Sequence, residues 1–291
     1  MNKLSPILLG LSLAAGSLPV ALQAQSMTGA TAPKYLQVNV EITKPGKGGL
    51  AHDKSETAFV QAMAKAKFPI HYTAFNALTG QPRAIYLSSF ESFDEFEKAN
   101  KVFEAPAAAA DFERVNVADG ELLESQKTLI FESVPELSYH SKAPTPQNRF
   151  LHAQILLIRP GHVKDFEDLA KMVMAADDKV GSKNHWGAYR LRFGDQAGTY
   201  VLFTAANSMS EFDDIFADQP KYMASLSDDD KKKMNDLRAA AIESAHYELY
   251  SVNPAQSYVT EDYIKADPTF WKPKHAAAPA AQPAAAEKKA P

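Results

Sequence analysis

The feature that most constrains this chain is that it repeats itself. Tyr35-Leu36-Gln37-Val38-Asn39-Val40 opens an alternating run that stops at Lys44-Pro45-Gly46-Lys47. Phe150-Leu151-His152-Ala153-Gln154-Ile155 opens another, 115 residues later, that stops at Arg159-Pro160-Gly161-His162. His71-Tyr72-Thr73-Ala74-Phe75 with a trailing Gly80 returns as His185-Trp186-Gly187-Ala188-Tyr189 with Gly194, an offset of 114. Ser92-Phe93-Asp94-Glu95-Phe96 returns as Ser208-Met209-Ser210-Glu211-Phe212, Pro106 as Pro220, and Leu137-Ser138-Tyr139 as Gln256-Ser257-Tyr258. Landmarks kept in one order at near-constant spacing mark a duplicated unit.

Each copy reads as the same series of elements. A first strand (35–43; 150–158) alternates with period two and ends at a Pro-Gly turn signal. A helix follows, carrying Phe59, Met63 and Ala66 in one copy and Phe166, Leu169 and Val173 in the other at helical spacing. A hairpin comes next, 70–78 with 84–90 and 186–193 with 199–204, its tips rich in turn formers. A second helix starts at Ser92 or Ser208, each with Glu three residues on, as a capping box requires. A further helical segment and a last strand, expected at 136–140 and 247–252, close each unit. Strand, helix, hairpin, helix, strand is the ferredoxin-like order. The expected fold is therefore α+β: two tandem ferredoxin-like units packed sheet to sheet as an intrachain α/β barrel, helices outside. Strand edges left over would let chains pair as a homodimer.

The ends read differently. Lys3, an apolar run from Ile7 to Leu22 and small residues at Ala21 and Ala24 match a secretory signal peptide cut after residue 24. The run is broken by Pro19 and is short beside the roughly 20 apolar residues a membrane span needs, so no membrane association is expected after cleavage. Residues 25–34 read as a linker, 35–143 as the first repeat, 144–273 as the second, and 274–291 as an Ala/Pro/Lys tail with nothing to bury. The expected location is periplasmic or secreted. The chain contains no Cys, which removes disulfides, lipidation, thiolate catalysis and zinc–thiolate sites. Without residues 1–24 it has 30 basic against 35 acidic residues, a net charge of −5 that argues against nucleic acid as a partner.

With these elements in place, the region 35–273 resembles the dimeric α/β-barrel superfamily. The segment "RPGHVKDFEDL" is similar to the NIPSNAP-like and EthD-like branches, and "ADPTFWKP" to a group of exported bacterial proteins carrying such repeats. The resemblance implies architecture. It also brings precedent for cofactor-free oxygenases, haem enzymes and isomerases, but no catalytic motif of theirs maps onto these residues.

Strand alternation assigns side chains to faces. Leu36, Val38, Val40 and Ile42 are expected to meet the helices, leaving Gln37, Asn39 and Glu41 to point between the sheets. In the second copy His152 and Gln154 take the places of Gln37 and Asn39, with Leu156 in place of Glu41. Tyr72 and Asn76 on the hairpin have Trp186, Arg190 and Arg192 as counterparts. The resulting pocket has Arg190, Arg192, Tyr72, Trp186, Asn39 and Gln154 as ligand-binding residues, the guanidinium fork suiting a carboxylate. His152 and Glu41 are its proton-moving, catalytic candidates. Against this stands the reading in which the same groups satisfy one another, Arg190 with Glu41 and no ligand, or the arginines simply face solvent. His71 and His185 fall on the opposite, helix-facing side with Phe75 and Tyr189, as hydrogen-bonded structural residues or as haem or metal ligands. His52, His162 and His275 fall in loops or the tail, without the spacing of a metal motif. "KPGKGG" is a turn lacking Walker spacing, and Asp228–Lys233 is a helix start on a solvated face. No metal and no tightly bound cofactor are expected. The leading function is binding of a small molecule between the sheets. A cofactor-free oxygenase or isomerase acting on a small aromatic or carboxylated compound is the second reading, and a structural or partner-binding protein with a filled barrel is the third.

Overall fold

The computed structural model describes residues 33–272. The signal peptide, most of the 25–34 linker and the tail from 274 lie outside the described residues.

The alternating runs become β1 (Tyr35–Thr43) and β5 (Phe150–Ile158), at the expected bounds. Each leads into a helix, α1 (Leu50–Ala66) and α4 (Val163–Val180), and α4 ends on Gly181 in the left-handed conformation that favours glycine. The hairpins are β2 (Tyr72–Ala77) with β3 (Arg83–Phe90), and β6 (Gly187–Phe193) with β7 (Thr199–Ala206). In the first half α2 (Phe93–Asn100) is capped by Ser92, whose Oγ accepts from Glu95 N at 3.1 Å, and α3 (Pro106–Gly120) follows. In the second, α5 (Ser210–Ala217), α6 (Gln219–Ser225) and α7 (Asp228–Ala241) occupy that stretch. The closing strands are β4 (Leu123–Ser133) and β8 (Ile242–Val252), after which α8 (Glu261–Ala266) and α9 (Pro268–Trp271) end the described chain.

One strand lies elsewhere than expected, and β8 starts at Ile242 rather than at 247. The first half closes with β4, not with residues 136–140. The exposed, polar start of β4, with Glu124, Gln126 and Lys127, hides the alternation that would reveal it. Residues 135–137 form a short 3-10 turn, and Tyr139 makes an isolated bridge to Trp186. Tyr258 makes the matching bridge to Tyr72, so the Leu137-Ser138-Tyr139 and Gln256-Ser257-Tyr258 echo reflects equivalent segments just past each closing strand.

The architecture is α+β with a single eight-stranded antiparallel sheet. The first half runs β4-β1-β3-β2 and the second β8-β5-β7-β6. Between them β2 pairs with β8 (Phe75↔Val252) and β4 with β6 (Phe131↔Leu191), so the sheet closes on itself. The strands expected to form two facing sheets are thus joined into one, and every strand has two neighbours. The free edges expected to mediate dimerisation are absent among the described strands.

Closure decides which face is driest. Leu36, Val38 and Val40 of β1 join Phe75, Ile85, Leu129, Leu151, Val201, Leu191 and Tyr250, drawn from the other seven strands, in one apolar cluster. Side chains from all eight strands can meet only inside the ring, so this face is the lumen, and the helices cover the outside. In the second half the outer layer is apolar too: Leu156, Ile158 and Tyr200 pack on Phe166 of α4 and Ala241 of α7.

Gly194, at the turn leaving β6, has φ +105, and a Cβ there would lie 2.2 Å from the Thr128 carbonyl oxygen of β4. Gly194→Ala therefore strains both the backbone and the β4–β6 seam. It is expected to cost at least about 2 kcal/mol of stability, read as a lower urea midpoint. An unchanged midpoint would show that the two strands do not approach so closely.

Candidate functional site

A cavity of about 940 Å³ opens at the end of the ring where β1, β2, β5 and β6 begin. Its deep walls are lumen side chains, among them Leu36, Phe75, Leu87, Leu151, Phe203 and Val252. Hydroxyls enter this apolar surface from Thr73, Ser89 and Tyr189. Burial pushes the Tyr189 phenol up to about 12, so it stays a hydrogen-bond donor at neutral pH. The opposite end is plugged by polar pairing: Arg83 Nη1 lies 2.8 Å from Glu248 Oε1, and the Tyr250 hydroxyl donates to the other Glu248 oxygen.

The mouth is framed by matching groups from the two halves. His71 and His185, Tyr72 and Trp186 all line it. His71 stacks on Tyr258 with ring centroids 4.5 Å apart, and burial lowers its pKa. His185 Nε2 lies 3.0 Å from the Ala205 carbonyl oxygen. Above them, α8 and α9 carry Tyr263 and Trp271 into the lumen cluster. Both are anchored to the connection between the halves, Tyr263 OH donating to Pro144 O (2.9 Å) and Trp271 Nε1 to Pro146 O (3.0 Å). Arg149 reinforces the anchor, pairing with Asp267 and sitting 3.8 Å from the Phe270 ring centroid.

The faces assigned from alternation are inverted. Leu36, Val38, Val40, Phe75 and Tyr189 line the lumen, while Asn39, Glu41, His152, Gln154, Arg190 and Arg192 lie outside it. The reason is that a closed ring of eight strands excludes water more completely than a helix layer does, so it takes the most apolar face. Glu41, His152 and Arg190 consequently occupy separate environments. His152 packs between Tyr247 and Phe212, and burial lowers its pKa. Arg190 and Arg192 share Glu132 (Arg192 Nε to Oε2, 2.7 Å), whose pKa the Arg192 hydrogen bond lowers. Glu132, not Glu41, is thus the partner of Arg190. Asn39 Oδ1 accepts from Gln37 and Thr128, and Gln154 donates to the Tyr247 hydroxyl. Of the eight expected site residues, only Tyr72 and Trp186 reach the cavity. Trp186 donates its indole N–H to Leu137 O at 2.8 Å.

Glu41 lies instead in a second, buried constellation under α1 and α3. His52 Nε2 is 3.1 Å from Glu41 Oε2, 3.7 Å from Asp119 Oδ1 and 3.9 Å from Glu56 Oε1. None of the four residues is more than 4% exposed. Gln126 Nε2 donates to Glu41 Oε1 at 2.8 Å, and Gln256 Nε2 stands 3.4 Å from His52 Nδ1. Glu56 Oε1, Asp119 Oδ1 and the Tyr86 hydroxyl are buried with no hydrogen-bond partner among the described residues. Burial first, then the charges of Glu41 and Asp119, pushes Glu56 up to about 10. Burial likewise raises Asp119, and it holds the Tyr72 and Tyr86 phenols well above their usual range. His52 lies in α1 and not in a loop, because the apolar spacing of Phe59, Met63 and Ala66 marks only the later turns of that helix. The signal that could have found it is the His52/Glu56 pair, one turn apart at the start of α1.

Folded Glu56 keeps its proton to about 10, whereas the unfolded chain releases it near the ordinary 4.5. Across that window the unfolded state binds fewer protons, so the stability present below 4.5 is lost progressively as pH rises toward about 10. In chelator-treated protein, Glu56→Gln should lack this loss. Its stability advantage over the parent should widen between about pH 5 and pH 9 in urea titrations. Parallel curves would mean that Glu56 is not held protonated.

No protein-family model matches the chain, and no curated protein matches it. Among solved structures it is similar to an anthrone oxidase-like protein, with 10% identity, 79% of this chain and 95% of the other covered, and a TM-score of 0.48. A monooxygenase-like protein from Lactobacillus acidophilus NCFM aligns at 7% identity over 76% and 94% of the two chains, TM-score 0.45. Chlorite dismutase from Candidatus Nitrospira defluvii, in complex with imidazole, aligns at 7% identity over 81% and 96%, TM-score 0.46.

Proposed function

We propose that this chain is an exported binding protein for a small, mainly apolar molecule, made of two tandem ferredoxin-like units whose joined sheet encloses the ligand. The observation that carries this reading is the cavity of about 940 Å³, within the size range of small-molecule sites. Its walls are apolar and aromatic, which favours a hydrocarbon or aromatic body over a sugar or a highly charged metabolite. The Tyr189, Thr73 and Ser89 hydroxyls would orient one or two polar atoms of the ligand, and α8 and α9 would cap it. Export is supported by the apolar, positively led start of the sequence. Arg190 and Arg192 share Glu132 on the outer face, away from the cavity, and are not needed for binding. His152 and Glu41 lie across the sheet from the cavity and have no part in it.

The chain has two tryptophans, Trp186 and Trp271, and both line the cavity. Titration with small aromatic compounds should change their emission saturably. Ala205→Phe, which fills the lumen, should weaken binding at least tenfold, while His152→Ala leaves it unchanged. Native mass spectrometry of protein from its own host should show a retained mass that Ala205→Phe loses. No retained mass together with no saturable response across such compounds would refute the binding reading. Loss of binding in His152→Ala would return the site to the outer face.

A further inference from the structure

We propose that Glu41, His52, Glu56 and Asp119 form a binding site for one divalent first-row transition cation, separate from the lumen. Each of the four residues offers a ligand atom, and all four atoms lie within 4.8 Å of one another. A tetrahedral ion with bonds of roughly 2.1 Å holds its donors about 3.4 Å apart. The distances from His52 Nε2, 3.1, 3.7 and 3.9 Å, bracket that value. Small side-chain adjustments suffice to close the set around an ion.

Three carboxyl groups in a dry space beside a single imidazole are costly unless protons or a cation neutralise them. The hydrogen bonds present do not complete that neutralisation. Glu56 Oε1 and Asp119 Oδ1 lack partners among the described residues, and so does the buried Tyr86 hydroxyl. An ion would take the two carboxylate lone pairs, and Tyr86 could then donate to a bound carboxylate. The second half of the chain is an internal control. At the repeat position of Glu41 stands Leu156, packed with Phe166 and Tyr200 in an apolar cluster. The scaffold therefore does not need charge at this place, and the first half carries it for another reason.

The donor set points to the class of ion. One imidazole nitrogen with carboxylate oxygens and no thiolate suits Mn²⁺ or Zn²⁺ better than Ca²⁺ or Mg²⁺, which take oxygen ligands alone. Gln126, donating to Glu41 Oε1, supplies an outer contact of the kind that holds metal ligands in place. The ion would tie β1, α1 and α3 together.

Chelator-treated full chain, incubated with Mn²⁺ or Zn²⁺ and desalted, should retain one ion per chain by mass spectrometry of the metal. Bound Mn²⁺ should lose its free-ion paramagnetic resonance signal. Saturating ion should raise Tm by about 5–10 °C, an effect Ca²⁺ does not reproduce. Glu56→Gln and Asp119→Asn, both near-isosteric, should fold by circular dichroism yet weaken Mn²⁺ binding at least tenfold. Failure of the parent protein to retain either ion, or equal binding by the folded variants, would overturn the site. An equal response to Ca²⁺ would overturn the class of ion. None of these outcomes bears on ligand binding in the lumen.

Discussion

The two seams where β2 meets β8 and β4 meets β6 govern everything else in this molecule. Each half alone is a four-stranded sheet with two unpaired edges and one face left without helices. Pairing edge to edge satisfies both rows of backbone groups and removes the uncovered faces from water in one step. Side chains from eight strands then crowd a single space, and eight strands make a ring just wide enough to be filled or to hold one small molecule. Here the space is filled at the Arg83–Glu248–Tyr250 end and open at the other.

That asymmetry along the ring follows from side-chain size and from what covers the mouth. Leu191, Val201 and Ile155 fill the deeper levels, while Ala205 and the hydroxyl-bearing Thr73 and Ser89 leave room near the opening. The cover comes from α8 and α9, in Tyr263 and Trp271, whose polar atoms both end on carbonyls of the 144–146 segment. The eight strands thus supply the vessel, and α8 and α9 with the 144–146 segment supply the stopper. A second asymmetry lies across the sheet. The two halves share a backbone plan but not an outer layer, since Glu41 and Leu156 hold the same place in opposite chemistry.

Much of this is legible in the sequence. Both first strands, both hairpins and the capped α2 follow from alternation, turn residues and the Ser92/Glu95 pair, because these are local signals. What local signals cannot convey is which face becomes the lumen. The run Leu36, Val38, Val40 announces an apolar face, but it would look the same packed on helices or on seven other strands. The choice between them is made by closure, a property of residues more than a hundred positions apart such as Phe75 and Val252. One wrong choice of face moves every expected site residue across the sheet, and Tyr72 and Trp186 escape only because they stand at the rim. The buried cluster was hidden for the same reason: Glu41, His52 and Asp119 are separated in sequence and meet only once α1 and α3 lie on the outer face.

Hydrogen exchange at the seams tests closure most directly. The Leu78 amide donates to Leu249 O and the Val134 amide to Ala188 O, each joining the two halves. With a closed sheet, these amides exchange as slowly as those between β1 and β3, opening only with global unfolding. Seam amides exchanging at the pace of the Gly80 turn while β1 and β3 stay protected would mean that the halves do not pair, and the lumen would not exist.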